Sequence, residues 1–426
     1  MTNPSDSFPK RGGVLHCEDV SLSDLARQYG TPAYVYSSAG IAGRFEAYSS
    51  ALAGVPHRIC FAVKANSNIA LLNLLAKQGA GFDIVSGGEL FRVQAAGAAM
   101  SSVVFSGVGK TREEMRLALD SDIHSFNCES EAEVAVLAEV AREAGKTAAI
   151  ALRVNPDVDA ITHPYISTGL KEHKFGINIA EVETVYEAVR SHPHLRAIGV
   201  SCHIGSQLLS TAPLIEACGR MLALVERLRG RGFAIEHLNL GGGLGVAYRP
   251  EERTSSIREF AGYLKERLAG TNVMLVLEPG RSVVAEAGVL LARVLYEKQN
   301  GSKRFVILDA GMNDLIRPTL YQAHHEIVPV VERSDAPVVV ADIVGPVCET
   351  GDFFARNREI PEVHAGDLVA IRTAGAYGFV QASNYNSRRR PCELMVSGAR
   401  VHLARQRESY EDLIRGEHIP QSVSAP

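Results

Sequence analysis

The chain has 426 residues, of which 46% are hydrophobic and 22% are charged, so it can build a large core and is too long for one ordinary domain. Its net charge of -4 comes from 44 basic and 48 acidic residues mixed along the sequence, which excludes a strong field for holding nucleic acid. The dense basic run Arg388, Arg389 and Arg390 stands alone and is typical of a solvated surface segment.

The sequence carries no signal for a membrane or for export. No apolar run approaches the roughly 18 residues needed to span a bilayer, and the opening residues MTNPSDSFPKRGG lack a hydrophobic stretch. We therefore expect a cytoplasmic protein with no membrane partner. The seven cysteines are odd in number and never form CxxC, which argues against both a disulfide framework and a zinc site, so no metal is expected.

Between Arg58 and Glu278 one pattern repeats: an apolar or β-branched run, a polar turn, then an amphipathic helical segment. The runs predict eight strands, namely RICFAV, AGFDIV, SVVFSG, DIHSFN, AIALRV, IGVSCHI, IEHLNL and VMLVLE. Eight strand-helix units in about 220 residues fit a (β/α)8 TIM barrel. A doubly wound open sheet is the alternative, but it would not gather polar residues from all eight strand ends into one mouth.

After Arg281 the helical period fades, and the runs RVLYEK, RFVILD, PVVVADIVGP and DLVAIRTAGAY predict strands. Near the start of the chain, VLHCEDV and AYVYS are also strand-like. The predicted fold class is therefore α/β plus β, with a barrel domain over residues 37–285. Residues 1–36 and 286–426 are predicted to form a mainly β domain of the sandwich or Greek-key type.

Polar residues collect at or just after the carboxyl ends of the predicted strands, which in a barrel form the catalytic face. Lys64 in FAVKAN would place its amine in the barrel mouth, either as a side chain that snorkels to water or as a Schiff-base lysine whose pKa is lowered by burial. The polar residues at these ends are Lys64, Asp83, Ser86, Ser106, Asn127, Arg153, Asn155, His203, Ser206, Gly241, Gly242, Gly243, Glu278 and Arg281.

Three further features of this mouth have both a chemical and a structural interpretation. The GGGLG run that starts at Gly241 is a tight turn or, after the seventh strand of a barrel, a phosphate loop to which Ser206 adds a hydroxyl. Glu278 either faces a heteroaromatic nitrogen or pairs with Arg281 at the rim. His203 either stacks on a flat ring or is structural. Together with a lysine, these parts predict a pyridoxal-phosphate site.

The motifs FAVKAN, FDIVSGGEL, HKFG, CHIGSQ, GGGLG, EPGR and GPVCETGD follow one another in this order. They resemble those of the alanine-racemase-fold (fold type III) pyridoxal-phosphate-dependent decarboxylases, and most closely the diaminopimelate decarboxylases, over nearly the whole chain. The resemblance implies a homodimer whose active sites lie at the subunit interface, with the β domain supplying residues to the interface and to the substrate. It implies that the cofactor contacts Lys64, Asp83, His203, Ser206, Gly242, Gly243, Glu278, Gly280, Arg281 and Tyr377.

The same resemblance assigns catalytic roles and a substrate pocket. Lys64 would hold the cofactor, His203 would stack on its ring, and Cys348 would reach in from the partner subunit to donate a proton. Glu349 would bind the distal amino group of the substrate. The implied substrate residues are Arg281, Arg317, Tyr321, Glu349 and Tyr377.

The choice of substrate depends on the distal carboxylate of diaminopimelate, which an arginine fork suits well. Lysine, ornithine and arginine decarboxylases of this fold have no such group to bind and typically carry aspartate where this chain has Glu349. Alanine racemase places an arginine at the pyridine nitrogen, whereas this chain has Glu278. A non-catalytic regulator could lack Lys64 and Cys348, which are both present. We therefore expect decarboxylation of meso-2,6-diaminopimelate to L-lysine, the last step of lysine biosynthesis.

Overall fold

The computed structural model describes residues 6–158 and 174–420. The first residue of the HKFG motif lies outside these ranges. The chain divides into two compact units. One unit comprises Ser38–Ala287 with Gly375–Val380, and the other comprises the residues up to Ser37, Gly288–Ala374 and the residues from Gln381 onward.

The described strands and helices are numbered in chain order. The strands are β1 (Lys10–Arg11), β2 (Val14–Cys17), β3 (Val20–Ser21), β4 (Ala33–Ser37), β5 (His57–Ala62), β6 (Gly81–Ile84), β7 (Val103–Phe105), β8 (Ser125–Cys128), β9 (Ala148–Asn155), β10 (Ile177–Asn178), β11 (Leu195–Ser201), β12 (His237–Asn239), β13 (Met274–Leu277), β14 (Gly288–Asn300), β15 (Lys303–Leu308), β16 (Ile327–Pro329), β17 (Val338–Val344), β18 (Phe353–Pro361), β19 (Leu368–Ile371), β20 (Cys392–Ser397) and β21 (Arg400–Arg405). The α-helices are α1 (Leu22–Tyr29), α2 (Ser38–Ala51), α3 (Ile69–Lys77), α4 (Gly87–Ala95), α5 (Arg112–Asp120), α6 (Glu131–Ala144), α7 (Val182–Arg190), α8 (Ala212–Gly230), α9 (Ile257–Leu268), α10 (Arg281–Val284), α11 (Arg317–Tyr321) and α12 (Tyr410–Leu413).

Eight parallel strands of the first unit close into a barrel. Hydrogen bonds join them in the order β5, β6, β7, β8, β9, β11, β12 and β13, and β13 pairs back with β5, with Leu277 opposite Ile59. Each of the eight predicted runs forms one of these strands. The predicted α/β barrel is therefore confirmed.

Several barrel helices, namely α3, α4, α5, α6 and α9, begin after a residue whose side chain caps the first turn. Thr111 caps α5 by accepting the backbone N–H of Glu114, whose side chain returns the bond. Met115, Ala118 and Leu119 are buried on one side of this helix. Burying a side chain such as Met115 or Leu119 contributes about 1.5–3 kcal/mol, whereas loss of the cap in Thr111→Ala costs about 1 kcal/mol.

The second unit is mainly β, as predicted. Its large sheet has the order β18, β17, β15, β14, β4, β20 and β21. Strand β19 also pairs with β14, and β16 pairs with β19. The long strand β14 pairs with β15, β19 and β4, so the N-terminal strand β4 belongs to this unit. One buried cluster includes Leu15, Val35, Val289, Leu291 and Leu394.

Among the described residues, none of the helices combines the length and the apolarity that crossing a bilayer would require.

Candidate active site

A cavity lies at the carboxyl ends of the barrel strands. The barrel closes the eight strand ends into a ring, so side chains that are far apart in sequence meet here. The lining residues are Ala62, Lys64, His203, Ser206, Gln207, Gly243, Leu244, Glu278, Gly280, Arg281 and Tyr377.

Lys64 enters this cavity from a 3₁₀ turn, Val63–Ala65, that follows β5. Its Nζ donates a hydrogen bond to Oδ2 of Asp83, which is fully buried on β6. Burial disfavours the charged amine, but the carboxylates of Asp83 and Glu278 outweigh it and raise the pKa of Lys64 above its ordinary value. Burial acts in the expected direction, but the expected net lowering of the Lys64 pKa is wrong, because the neighbouring carboxylates dominate.

Asp83 also has a second buried oxygen, Oδ1, which accepts no hydrogen bond from the described residues. The ion pair with Asp83 keeps the proton on Lys64. An amine must lose its proton before it can attack an aldehyde. Lys64 therefore becomes a nucleophile only once this proton is removed.

Glu278 directly follows β13 and is 9% exposed. Its Oε1 accepts hydrogen bonds from Nδ2 of Asn239 at 2.6 Å and from Nδ2 of Asn127 at 3.2 Å. Burial, and then the charge of Asp83, raise the pKa of Glu278 to about 7, although Lys64 and the Asn239 bond act in the opposite direction. A nearby cation would therefore shift this carboxyl group readily to its charged form.

His203 follows β11 and is neutral in this environment. Burial, and then the charges of Arg153 and Lys64, hold the pKa of His203 well below its ordinary value. The backbone N–H of Gly242 donates to His203 Nδ1 at 3.3 Å, so the proton of the neutral ring is on Nε2. The ring is thus fixed by the glycine loop and remains uncharged, as stacking on an aromatic ligand requires.

The glycine loop, residues 241–245, needs its glycines for close contact with two strand ends. A Cβ on Gly242 would lie 2.3 Å from the carbonyl oxygen of Glu278, and one on Gly243 would lie 2.6 Å from that of Gly205. Gly243 also has φ +116°, which side chains rarely adopt. The loop therefore brings backbone to the cavity wall near Ser206, as an anion site does.

Arg281 and Tyr377 close another part of the cavity wall. Arg281 is buried, donates to Tyr248 Oη at 2.7 Å, and has its guanidinium 4.7 Å from the centre of the Tyr377 ring. The backbone N–H of Tyr377 donates to the carbonyl of Ala65 at 2.8 Å. Gly280 packs here too, because a Cβ on it would lie 2.9 Å from Ala65 Cβ.

Four predicted site residues belong to the second unit. Arg317 is buried at the start of α11 and is hydrogen-bonded to His325 Nε2 at 2.8 Å; Tyr321 ends the same helix. Cys348 and Glu349 are exposed on the loop between β17 and β18. The backbone N–H of Cys348 donates to Asn386 Oδ1 at 2.8 Å.

Sequence reasoning missed two residues that orient the site. Asn239 bonds both Glu278 and the glycine loop, and Tyr248 holds Arg281. Asn239 stands two residues before GGGLG, at the end of a predicted strand, and that position is the signal that could have identified it. Tyr248 has no comparable signal, because it follows the loop without a motif.

The cavity residues fit pyridoxal phosphate. This cofactor requires an amine that reacts with its aldehyde and an uncharged aromatic side chain that stacks on its pyridine ring. It also requires a carboxyl group that pairs with its ring nitrogen and backbone N–H groups that bind its phosphate. Lys64, His203, Glu278 and the glycine loop provide these groups around one volume. The unsatisfied Oδ1 of Asp83 is a further buried acceptor close to Lys64.

Comparisons with known proteins agree with this geometry. The family model described as "Pyridoxal-dependent decarboxylase, pyridoxal binding domain" matches residues 38–285. The chain is 55% identical to the diaminopimelate decarboxylase of Pseudomonas aeruginosa, with 97% of this chain and 99% of that protein covered.

Solved structures give the same result. The crystal structure of diaminopimelate decarboxylase from Helicobacter pylori complexed with L-lysine matches with a TM-score of 0.89 and 42% identity, over 92% of this chain and 98% of that chain. The enzyme from M. jannaschii in co-complex with L-lysine matches with a TM-score of 0.93 and 37% identity, over 98% and 99% of the two chains.

Proposed function

The chain belongs to the pyridoxal-dependent decarboxylase family, and from that premise we propose that it converts meso-2,6-diaminopimelate to L-lysine and carbon dioxide. The observation that carries this proposal is the similarity to diaminopimelate decarboxylases along nearly the whole chain. The similarity favours this substrate over lysine, ornithine or arginine. The reaction is the last step of lysine biosynthesis, and pyridoxal phosphate is the cofactor.

Each cavity residue has a defined task in this reaction. Bound pyridoxal phosphate supplies an electron sink for the electron pair that stays on the substrate carbon when carbon dioxide leaves. Lys64 would tether the cofactor through its amine, and Asp83 pairs with the charged form of that amine. The neutral ring of His203 stacks on the cofactor ring. Glu278 carries negative charge toward the ring nitrogen and keeps that nitrogen protonated.

We assign the phosphate to the backbone of the glycine loop and its neighbours. Ser206 adds a hydroxyl, and Tyr377 closes over the group from the opposite wall. Arg281 is buried against Tyr377, so its charge is available at this wall without being dispersed in water. The proposed phosphate residues are Ser206, Gly242, Gly243, Gly280, Arg281 and Tyr377.

The β domain supplies most of the residues proposed to bind the distal end of the substrate, within a homodimer, and the barrel unit supplies Arg281. Arg281, Arg317 and Tyr321 bind the distal carboxylate, while Glu349 binds the distal ammonium. The Cys348 thiol reaches the site of the partner chain and gives its proton to the carbon that has lost carbon dioxide. The thiolate is then reprotonated from solvent, so the reaction consumes one proton overall.

We also propose that the enzyme works in the cytoplasm. Its seven cysteines are free, and six of them are buried. Free thiols in this number are typical of a reducing compartment.

Growth of a lysine auxotroph tests the proposal. A bacterial strain whose own diaminopimelate decarboxylase gene is deleted should grow without lysine when it expresses this chain. The same strain expressing Lys64→Ala should still need lysine. Failure of the wild-type chain to restore growth, when it is present as soluble protein, would reject the proposed reaction.

A further inference from the structure

Asn239 uses both ends of its side-chain amide within the site. It ends β12 and is fully buried. Its Nδ2 donates to Glu278 Oε1 at 2.6 Å, and its Oδ1 accepts the backbone N–H of Gly241 at 2.8 Å. One side chain therefore holds the carboxyl group on one strand and the glycine loop that follows its own strand.

The Glu278 bond is the shorter of two that this carboxyl group receives from asparagine amides. Asn127 Nδ2 donates to the same Oε1 at 3.2 Å and also to Ser106 Oγ at 2.9 Å. Hydrogen bonds donated to a carboxylate favour its ionised form, and burial opposes that form. Asn239 is thus the main neutral group that favours a charge on Glu278.

The loop side of Asn239 is equally specific. The backbone N–H of Glu278 donates to the carbonyl of Gly241 at 2.7 Å, and Gly242 donates to His203 Nδ1. The segment that Asn239 fixes therefore contacts both Glu278 and His203. Among side chains of similar size, only an amide can donate to the Glu278 carboxyl group and also accept from the Gly241 N–H. Aspartate would place a second carboxylate against Glu278, and serine is too short to span both partners.

We propose that Asn239 is a positioning residue that couples the charge of Glu278 to the geometry of the glycine loop. This inference rests on the proposed function, in which Glu278 serves the ring nitrogen and the loop serves the phosphate. Asn239 makes these two contacts cooperative. When the loop is correctly placed, the Asn239 amide keeps donating to Glu278, and when Glu278 is ionised, this bond in turn keeps the loop in place. The groups that bind the ring nitrogen and the phosphate of the cofactor are then linked through one side chain.

The test compares Asn239→Asp and Asn239→Ser holoenzymes with Ser125→Ala. Ser125 is a matched control, because it is a fully buried polar residue of β8 whose Oγ has no hydrogen-bond partner among the described residues. Turnover of diaminopimelate as a function of pH and the dissociation constant of pyridoxal phosphate are measured for each protein. Losing a hydrogen bond to a charged group costs roughly a factor of ten or more.

The acid limb of the turnover profile should move to higher pH by at least about one unit in Asn239→Asp, because a more basic Glu278 ionises only at higher pH. Cofactor affinity should fall about tenfold in Asn239→Ser. Ser125→Ala should match the wild type in its pH profile and in its cofactor affinity. In the Glu278→Gln background, Asn239→Asp should leave the pH profile unchanged, since the group that titrates is already gone.

A folded Asn239→Asp variant with an unshifted acid limb would overturn the coupling, and so would a shift that persists with Glu278→Gln. If neither Asn239 variant folds, a high-resolution structure of the wild-type holoenzyme decides. It must show Asn239 Nδ2 on Glu278 and Oδ1 on Gly241, and a reversed amide overturns the inference. Loss of wild-type turnover on diaminopimelate would instead reject the proposed function, so the two failures are distinguishable.

Discussion

The protonation states in the cavity are decided by single side chains and their nearest neighbours. Lys64 keeps its proton because Asp83 is in contact and Glu278 is near, whereas His203 loses its proton because burial and two cations oppose it. The neutral ring of His203 suits stacking on a cofactor ring, whereas Lys64 must lose its proton before it can act as a nucleophile. Substitutions at this scale therefore change chemistry more than fold.

We predict that Lys64→Ala abolishes the visible absorbance band of the bound cofactor and lowers turnover by at least about a thousandfold. The fold should survive with lowered stability, since the buried Asp83 loses its cationic partner. Absorbance spectra and turnover assays check this. Lys77→Ala, at the exposed end of α3, is the control and should resemble the wild type. Full activity in Lys64→Ala would contradict the assignment.

Glu278→Gln should retain the cofactor and lose turnover by about 10²- to 10³-fold, because a neutral amide does not stabilise a protonated ring nitrogen. Its cofactor content is read from absorbance, and its turnover from carbon dioxide release. Glu226→Gln, on the exposed side of α8, removes a similar charge without effect. Unchanged turnover in Glu278→Gln would make Glu278 a rim residue only.

Most cavity residues could be identified from sequence, but their electrostatics could not. The ends of the apolar runs point to Lys64, His203 and Glu278 because strand ends converge in a barrel. The predicted direction of the Lys64 pKa was wrong, since no pattern reveals how close Asp83 and Glu278 come. The position of Asn239 just before GGGLG could have marked it as a site residue, but its hydrogen bond to Glu278, made across strands, could not be predicted.

Strands and loops determine where these side chains stand. The barrel strands were predictable because each lies in a short, mostly apolar or β-branched run that is followed by a polar turn and a helical segment. The glycine loop was also visible in sequence. The sequence of Gly375–Val380 does not predict that this segment groups with the barrel residues, because the grouping depends on tertiary contacts and not on a local pattern.

We predict that Gly242→Ala weakens cofactor binding by about tenfold or more. Its Cβ would lie 2.3 Å from the Glu278 carbonyl oxygen. Because this oxygen belongs to the backbone and is held in place, the loop itself must move to relieve the clash. Gly262→Ala is the matched control, because this glycine lies within α9 and has open space around it. The control should bind cofactor normally and gain about 0.5–1 kcal/mol in stability. Equal cofactor affinity in Gly242→Ala and Gly262→Ala would contradict the assignment of the glycine loop to the phosphate site.

At the scale of the whole molecule, the two units divide the proposed tasks. The barrel unit holds the cavity, and the β unit holds Arg317, Tyr321, Cys348 and Glu349. The fold class was predictable because the pattern changes from helical period to strand runs after Arg281. The homodimer and its shared sites remain a prediction, since they follow from resemblance alone.

Mixed dimers test the shared site. If Cys348 of one subunit serves Lys64 of the other, the Lys64→Ala and Cys348→Ala homodimers should both turn over poorly. Random exchange makes about half of the dimers mixed, and each mixed dimer has one intact site, so roughly a quarter of wild-type activity should return. Differently tagged variants confirm the exchange. Confirmed heterodimers as inactive as their parents would place Cys348 within its own chain or outside catalysis.

Carbon dioxide release from separate amino acids measures the proposed reaction itself. Purified protein loaded with pyridoxal phosphate is incubated with meso-diaminopimelate, with lysine and with ornithine, each at equal concentration. Diaminopimelate should release carbon dioxide and yield an equal amount of L-lysine. The other two should react at least about a hundredfold more slowly, because they lack the distal carboxylate that we propose the arginines bind. Faster release from lysine or ornithine, or none from diaminopimelate, would contradict the proposed function.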